Sequence, residues 1–170
     1  LRGAGPVRVS CVRNERVLTL LDTEDAAFAA DPLAPEIDRV AGAIAFPNGM
    51  VITPDNQMLI VSESFTGTLL AFDIDHDGRL TNRRAWAEDL GPDGICMDAD
   101  GAIWTSPAQP DIGVVRVRED GEVLDEIELD IACFATGLGG PDGRTLFMMC
   151  NDFKGPDNFD EMIASRTAKV

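Results

Sequence analysis

The chain reads Phe46-Pro47-Asn48-Gly49-Met50-Val51-Ile52 at one point and Gly91-Pro92-Asp93-Gly94-Ile95-Cys96-Met97 45 residues later. Each stretch places proline before an amide or carboxylate side chain, with glycine and a short apolar run after it. A degenerate third copy follows 42 residues after the second and has Ala135 where Asn48 and Asp93 stand. Short strands and Asp-Gly turns that recur with a period of about forty to fifty residues are typical of β-propeller blades. The pattern therefore predicts an all-β chain built as a β-propeller.

The repeat also predicts how the chain is divided. Residues 1–170 should form one partial propeller domain: 1–45 hold an upstream blade remnant and a loop, 46–90 a blade, 91–133 a second blade, and 134–170 a partial final blade. Predicted strands cover 7–12, 16–21, 36–40, 51–53, 58–62, 68–74, 80–87, 95–98, 102–105, 113–118, 123–129, 136–139 and 145–150. Residues 23–35 are predicted to be a surface loop, and no stretch shows a long helical period. The chain contains two full repeats, one partial repeat and an upstream remnant, so we expect an incomplete set of about three to four blades. Propellers typically need at least four blades to close their ring.

The composition limits the partners. There are 30 acidic and 14 basic side chains, a net charge of −16, which argues against nucleic acid and membrane as partners because both need clustered basic residues. No apolar stretch approaches the length of a transmembrane helix. The cysteines Cys11, Cys96, Cys133 and Cys150 form no CxxC pair and lie in or beside apolar runs. This arrangement indicates buried, reduced thiols and a cytoplasmic protein.

Two familiar kinds of site are disfavoured. The only histidine, His76, lies in a polar hairpin turn and no GxSxG motif is present, which argues against a Ser-His-Asp hydrolase. The run from Asp73 to Gly78 matches the start of an EF-hand loop, but the twelfth position, where a bidentate glutamate is needed, holds Arg84. A β-hairpin turn at Asp77-Gly78 is the favoured interpretation.

Asn48 and Asp93 occupy the same position in two successive repeats. In a propeller the innermost strand of each blade begins beside the central channel, so these side chains should converge there. Their amide and carboxylate oxygens suit hard cations such as Ca²⁺ or Mg²⁺. Asn and Asp also cap turns with their side chains, and spacing alone favours neither interpretation.

A family resemblance bears on this choice. Phe46-Pro47-Asn48-Gly49-Met50, Ala71-Phe72-Asp73, the run from Asp77 to Arg84, Pro92-Asp93-Gly94-Ile95, and the run from Gly139 to Leu146 resemble the family of gluconolactonase, senescence marker protein (regucalcin) and luciferin-regenerating enzyme. The resemblance covers roughly residues 36–150. It implies a six-bladed propeller that hydrolyses a lactone or related ester with one divalent cation, Ca²⁺ first and Mg²⁺, Zn²⁺ or Mn²⁺ as alternatives.

The resemblance also implies roles for residues. Asn48 and Asp93 would be metal ligands, and Asp93 would also be the general base for the attacking water. The family's other ligands would lie upstream of Leu1, so we expect this chain alone to be inactive and to self-associate through open propeller edges. The alternative is a non-catalytic calcium-binding or protein-binding propeller module.

Several residues near these motifs have two interpretations. Ala135 supplies no ligand in the third repeat, whereas the neighbouring Thr136 is either a substrate contact or an ordinary strand residue. Phe46, Phe65 and Phe134 either line the mouth of the channel or, as is commoner for phenylalanine, pack in the core.

Overall fold

A computed structural model describes residues 8–13, 16–21, 38–41, 44–76, 78–108 and 113–170. The described strands are β1 Arg8–Arg13, β2 Arg16–Leu21, β3 Asp38–Ala41, β4 Pro47–Ile52, β5 Met58–Glu63, β6 Thr68–Ile74, β7 Leu80–Ala87, β8 Cys96–Met97, β9 Ile103–Thr105, β10 Val114–Val117, β11 Val123–Ile127, β12 Ala132–Gly139 and β13 Thr145–Asn151. One short helix, α1, covers Phe159–Ser165. The predicted all-β fold class is confirmed.

The strands form four sheets in chain order. They are β1-β2-β3, β4-β5-β6-β7, β8-β9-β10-β11 and the hairpin β12-β13. The two four-stranded sheets pair each strand antiparallel with its neighbour in sequence, whereas β2 and β3 pair in parallel. Up-and-down sheets that follow one another along the chain are the architecture of propeller blades.

The sheet β4–β7 has a core on each of its faces. Successive strand residues point to opposite faces, and β6 is buried on both: Leu69 and Ala71 join one cluster, while Leu70 and Phe72 join another. The first cluster includes Val115 of the next sheet. The sheets therefore stack face to face.

The same stacking continues downstream. Val114 of β10 packs with Cys133 and Cys150 of the hairpin β12–β13 in a third cluster. The outer strand β11 is mostly exposed. Each sheet thus runs from an inner first strand (β4, β8 or β12, called the inner strands below) toward an outer edge.

Most strand predictions are confirmed, and β6 and β7 begin and end where they were predicted. The predicted Asp120-Gly121 turn joins β10 to β11, and both residues have positive φ, 74° and 82°. The predicted loop over 23–35, the turn residue Asp77 and the Cys11 side chain lie outside the described residues. The division into domains stays a prediction.

Two strand predictions were wrong at the boundary. The strand expected from residue 51 begins at Pro47, and the one expected from residue 136 begins at Ala132. Both contain a β-bulge near the start, which interrupts the alternation that a sequence pattern relies on. No helix in the described part of the chain is long and apolar enough to cross a membrane.

Candidate metal and catalytic site

The inner strands approach each other through a repeated backbone contact. The N–H of Gly49 donates to the carbonyl of Asp93 at 3.1 Å, and the N–H of Gly94 donates to the carbonyl of Phe134 at 2.8 Å. Gly49 and Gly94 are equivalent residues of the two repeats. The starts of three successive inner strands therefore lie side by side.

Glycine is required at these two positions because the neighbouring strand leaves no room for a Cβ atom. A Cβ on Gly49 would lie 2.5 Å from the Asp93 carbonyl oxygen and 2.6 Å from the Ile95 nitrogen. A Cβ on Gly94 would lie 2.5 Å from the Cβ of Ala135. Neither glycine has positive φ, so close approach of the strands, and not a left-handed backbone, requires glycine at these positions.

A β-bulge accompanies the site position in the first repeat. Pro47 pairs with Glu63 and Met50 with Val61, so Asn48 and Gly49 share the space of one residue on β5. A bulge of this kind redirects a side chain from the face that strict alternation would give it. In the third repeat a bulge at Phe134 lies just before Ala135.

Asn48 and Asp93 meet at this place. Both residues are half-buried, and the Asn48 side chain lies close enough to the Asp93 carboxyl to influence its pKa. Burial raises the pKa of the Asp93 carboxyl, and the neighbouring Asn48 side chain only partly offsets that effect. Within the described residues no cationic side chain contributes to this pKa. The two positions that the repeat predicted to converge are in contact.

Other aspartates of the sheets are stabilised as carboxylates. Hydrogen bonds from Thr53 and from the backbone of Gln57 lower the pKa of Asp55. Hydrogen bonds from Asn82 and Arg84 likewise lower the pKa of Asp73. Asp93 differs because burial dominates, and a perturbed carboxyl of this kind is a common property of functional sites.

Asp73, the first residue of the presumed EF-hand loop, forms its contacts within the sheet. Arg84, at the twelfth position of the presumed loop, donates to Asp73 Oδ1 at 2.7 Å, and Asn82 donates to Oδ2 at 2.8 Å. The carboxylate that would open a calcium loop is thus paired with a cation from the adjacent strand. This arrangement agrees with the hairpin interpretation.

Residues that the sequence did not single out hold Asp93 in place. Ser62 Oγ donates to the Asp93 carbonyl and Ser64 Oγ to the Pro92 carbonyl, both at 2.7 Å. Between them, the buried Glu63 accepts the Ala45 N–H at 2.6 Å. The sequence did contain a sign of this role, because serine at position 62 is repeated 44 residues later at Ser106. The Ser106 hydroxyl donates to the Cys133 carbonyl, across the next interface between sheets.

Thr136 has a structural role. The residue is 7% exposed, and its hydroxyl donates to the Trp104 carbonyl at 2.9 Å. This contact favours the ordinary strand residue over the substrate contact. Ala135 packs its methyl group toward Gly94, as expected of a position without a ligand.

The aromatic residues beside the site are not core residues. Phe46 and Phe65 stack with ring centroids 4.3 Å apart, and Phe65 is 78% exposed. Phe46 has a φ of 56°, a strained conformation for a non-glycine residue. Phe134 contacts Phe153 edge to face. Of the two interpretations, core packing is therefore wrong for Phe65, whose exposed ring lies against Phe46.

The ligand set within the described residues is small. No group of three or more His, Cys, Asp or Glu side chains in this part of the chain could hold a metal ion. Asn48 and Asp93 remain as two neighbouring oxygen donors.

Comparison with known proteins identifies the family. A family profile described as "SMP-30/Gluconolactonase/LRE-like region" matches residues 13–151. The chain belongs to the SMP-30/gluconolactonase/LRE-like family. Membership confirms the resemblance seen in the paired proline motifs.

Relatives in the SMP-30/gluconolactonase/LRE-like family match part of their length. A 6-deoxy-6-sulfogluconolactonase of Pseudomonas putida is 35% identical over 116 residues, which cover 64% of this chain and 39% of that protein. Regucalcin of Bos taurus is 24% identical over 67% of this chain and 40% of its own. The chain thus spans about two fifths of these relatives.

Solved structures of the SMP-30/gluconolactonase/LRE-like family share the fold. A gluconolactonase from Xanthomonas campestris superposes with a TM-score of 0.57 at 31% identity, covering 66% of this chain and 38% of that one. A luciferin-regenerating enzyme superposes with a TM-score of 0.58 at 20% identity, covering 63% and 38%. These matches agree with a propeller fold.

Proposed function

We propose that this chain contributes two ligands, Asn48 and Asp93, to the divalent-metal site of a lactonase. The observation that carries the proposal is the half-buried Asp93 carboxylate, which faces Asn48 from the equivalent position of the adjacent repeat. Relatives named as gluconolactonases, at 35% and 31% identity, support a small-molecule lactone as the substrate.

The donor chemistry fits a hard cation. An amide oxygen and a carboxylate oxygen are ligands that Ca²⁺ accepts, and Mg²⁺, Zn²⁺ or Mn²⁺ can also bind oxygen donors. Ca²⁺ usually takes about six to eight oxygens, so two donors bind it weakly unless further ligands complete the site. Ca²⁺ is the favoured ion.

Asp93 has the properties of a general base. A bound cation would polarise the lactone carbonyl and make a nearby water more acidic. A carboxylate with a raised pKa is a stronger base than an ordinary one. Asp93 would accept a proton as water attacks the carbonyl carbon, then return it to the ring oxygen as the C–O bond breaks. Asn48 would keep the carboxylate oriented through their contact.

The test compares Asp93→Asn with Asp130→Asn. Asp130 is exposed and outside the site, so its substitution makes the same change of charge elsewhere. Calorimetric titration with CaCl₂ and MnCl₂ should show cation binding that Asp93→Asn abolishes and Asp130→Asn preserves. Hydrolysis of D-glucono-1,5-lactone is expected only where further ligands complete the site; turnover above the spontaneous rate that EDTA abolishes should then fall roughly 10²–10⁴-fold in Asp93→Asn.

The possible outcomes separate this proposal from the alternative module. Asp93-dependent cation binding without turnover is expected of this chain alone; the same result in a protein whose site is completed by further ligands would favour the non-catalytic calcium-binding propeller. Unchanged cation binding in Asp93→Asn would remove Asp93 from the metal site. Circular dichroism of each variant shows whether a loss reflects unfolding instead.

A further inference from the structure

Two cysteines face each other across the hairpin β12–β13. The register of this antiparallel pair places Cys133 directly opposite Cys150. Directly opposite residues of an antiparallel pair point to the same face of the sheet. Both thiols are free, and each residue is 7% exposed.

The backbone contacts show which kind of cross-strand pair this is. The N–H of Cys150 donates to the Lys169 carbonyl at 2.9 Å, and its carbonyl accepts the Lys169 N–H at 2.8 Å. Because both polar groups of a strand residue point to one side, those of Cys150 are directed away from β12. Cys133 and Cys150 therefore form a non-hydrogen-bonded pair, in which the Cα atoms typically lie about 4.5 Å apart.

This geometry is compatible with a covalent bond. A disulfide needs Cα atoms about 4.4–6.8 Å apart, a range that a non-hydrogen-bonded pair meets without backbone movement. The two side chains share a buried cluster with Val114, and the Cys150 thiol lies close enough to raise the pKa of Cys133. The Cys133 thiol itself donates to the Ala135 carbonyl at 3.4 Å.

We propose that Cys133 and Cys150 are a thiol–disulfide site, closed by a low-molecular-weight disulfide such as glutathione disulfide. One thiolate attacks the oxidant and forms a mixed disulfide, releasing one glutathione thiol. The second thiolate then displaces the other glutathione and forms the Sγ–Sγ bond. Two protein thiols are oxidised, one disulfide is reduced to two thiols, and the protons pass to the products. The bond would fix the register of the hairpin whose first strand contacts Gly94.

The folded protein should react slowly. Burial and the neighbouring Cys150 raise the pKa of Cys133 to about 12, so little thiolate is present at neutral pH. Lys169 also pairs along the outer side of Cys150. The experiment therefore includes unfolding, which exposes both thiols and lets the native geometry select the pairing as the chain refolds.

Two variants with equal numbers of thiols provide the test. The double variant Cys11→Ser/Cys96→Ser keeps the facing pair, whereas Cys11→Ser/Cys133→Ser keeps Cys96 and Cys150. Each is refolded from urea in a glutathione redox buffer, quenched with acid, alkylated and weighed by intact mass spectrometry. We expect the first variant to lose the mass of two hydrogens and to take up no alkylating agent. The control should keep free thiols, which become alkylated, or carry glutathione.

The wild-type chain supplies a second measurement. Peptide mapping after the same refolding should show Cys133 joined to Cys150 as the main pairing, and the oxidised protein should have a higher urea midpoint than the reduced one. Stable mixed disulfides, a different or intermolecular pairing, two persistent thiols in the first variant, or a lower midpoint on oxidation would each overturn the proposal.

Discussion

A buried hydroxyl without a partner is a weak point at the level of single residues. Thr105 is fully buried in β9, and its Oγ1 has no hydrogen-bond partner among the described residues. Val61 stands 44 residues earlier, at the equivalent position of the preceding repeat. Thr105→Val should raise the free energy of unfolding by about 1 kcal/mol because it removes a desolvated polar group while keeping the shape. Urea denaturation measures the change.

Thr136→Val is the matched control for this prediction. The Thr136 hydroxyl is also buried but bonds the Trp104 carbonyl, so its loss should lower the free energy of unfolding by about 1 kcal/mol. Equal destabilisation by both substitutions would show that Thr105 has a partner in solution.

The site could be predicted from sequence only where the repeat made it visible. Asn48 and Asp93 were found because they hold one position in two repeats, and the structure places their side chains in contact. Ser62 and Ser64 escaped notice because their acceptors lie 31 and 28 residues away, in the segment that leads into the next sheet. A pattern of residue types does not show which distant carbonyl a hydroxyl will reach.

Close packing of the inner strands leads to a prediction at the level of secondary-structure elements. Gly49→Ala and Gly94→Ala should each destabilise the protein by about 1–3 kcal/mol, as overpacking does, because the added methyl group would meet backbone or Ala135. The shift should also weaken cation binding, since Asn48 and Asp93 precede these glycines. Urea denaturation and calorimetric titration with CaCl₂ test the two effects.

Gly137→Ala is the corresponding control. Gly137 lies in β12 without positive φ, and a Cβ there would have no heavy atom within 4 Å. Alanine at such a position should be neutral or stabilise by about 0.4–1 kcal/mol through the unfolded state. If Gly49→Ala were as harmless as Gly137→Ala, close approach would not explain the glycine of the motif.

A second prediction concerns the junction of β8, β9 and β10. Asp98 accepts the N–H groups of Asp100 and Ala102 and the Nε of Arg116, at 2.9, 3.0 and 2.6 Å. Although burial alone would raise the pKa of Asp98, these hydrogen bonds lower it. A pKa lowered on folding gives stability above the unfolded value of about 3.9, which is lost as pH falls through that value toward the folded one.

Asp98→Asn should therefore be less stable than wild type at pH 7, with the difference shrinking toward pH 3. Urea midpoints measured across this range for both proteins show the effect. Asp125→Asn is the control: Asp125 also contacts Arg116, but it is 59% exposed in its side chain and should matter little. A difference between Asp98→Asn and wild type that stays constant with pH would rule out the ion pair as its cause.

Elements were predicted well where alternation and turn residues agreed. The strands β6 and β7 follow that pattern and were predicted residue for residue. The helix α1 was not predicted, because its seven residues make about two turns and give too short a periodic signal. The early starts of β4 and β12 were missed because a bulge breaks the alternation.

At the level of the whole molecule, the sequence predicted the architecture better than the contacts between sheets. The repeat length indicated a propeller, and the face-to-face stacking around β6 agrees with it. The polar contacts between sheets recur as well: a serine at the end of the second strand donates to a backbone carbonyl in or just before the inner strand of the next sheet. Substituting these serines can distinguish cooperative unfolding of all the stacked sheets from unfolding of one sheet at a time.

Ser62→Ala and Ser106→Ala remove hydrogen bonds from different interfaces between sheets. Each should lower the free energy of unfolding by about 1 kcal/mol, because one backbone carbonyl loses a hydroxyl partner. If the stacked sheets unfold as one unit, the two losses should add within about 0.5 kcal/mol, and circular dichroism and tryptophan fluorescence should show the same transition. Ser165→Ala is the control, because that hydroxyl donates to the Met162 carbonyl of its own helix and not across an interface between the described sheets. Trp86 and Trp104 lie in different sheets, so fluorescence that separates from circular dichroism in one variant would instead reveal stepwise unfolding, as in repeat proteins whose units interact only with their neighbours.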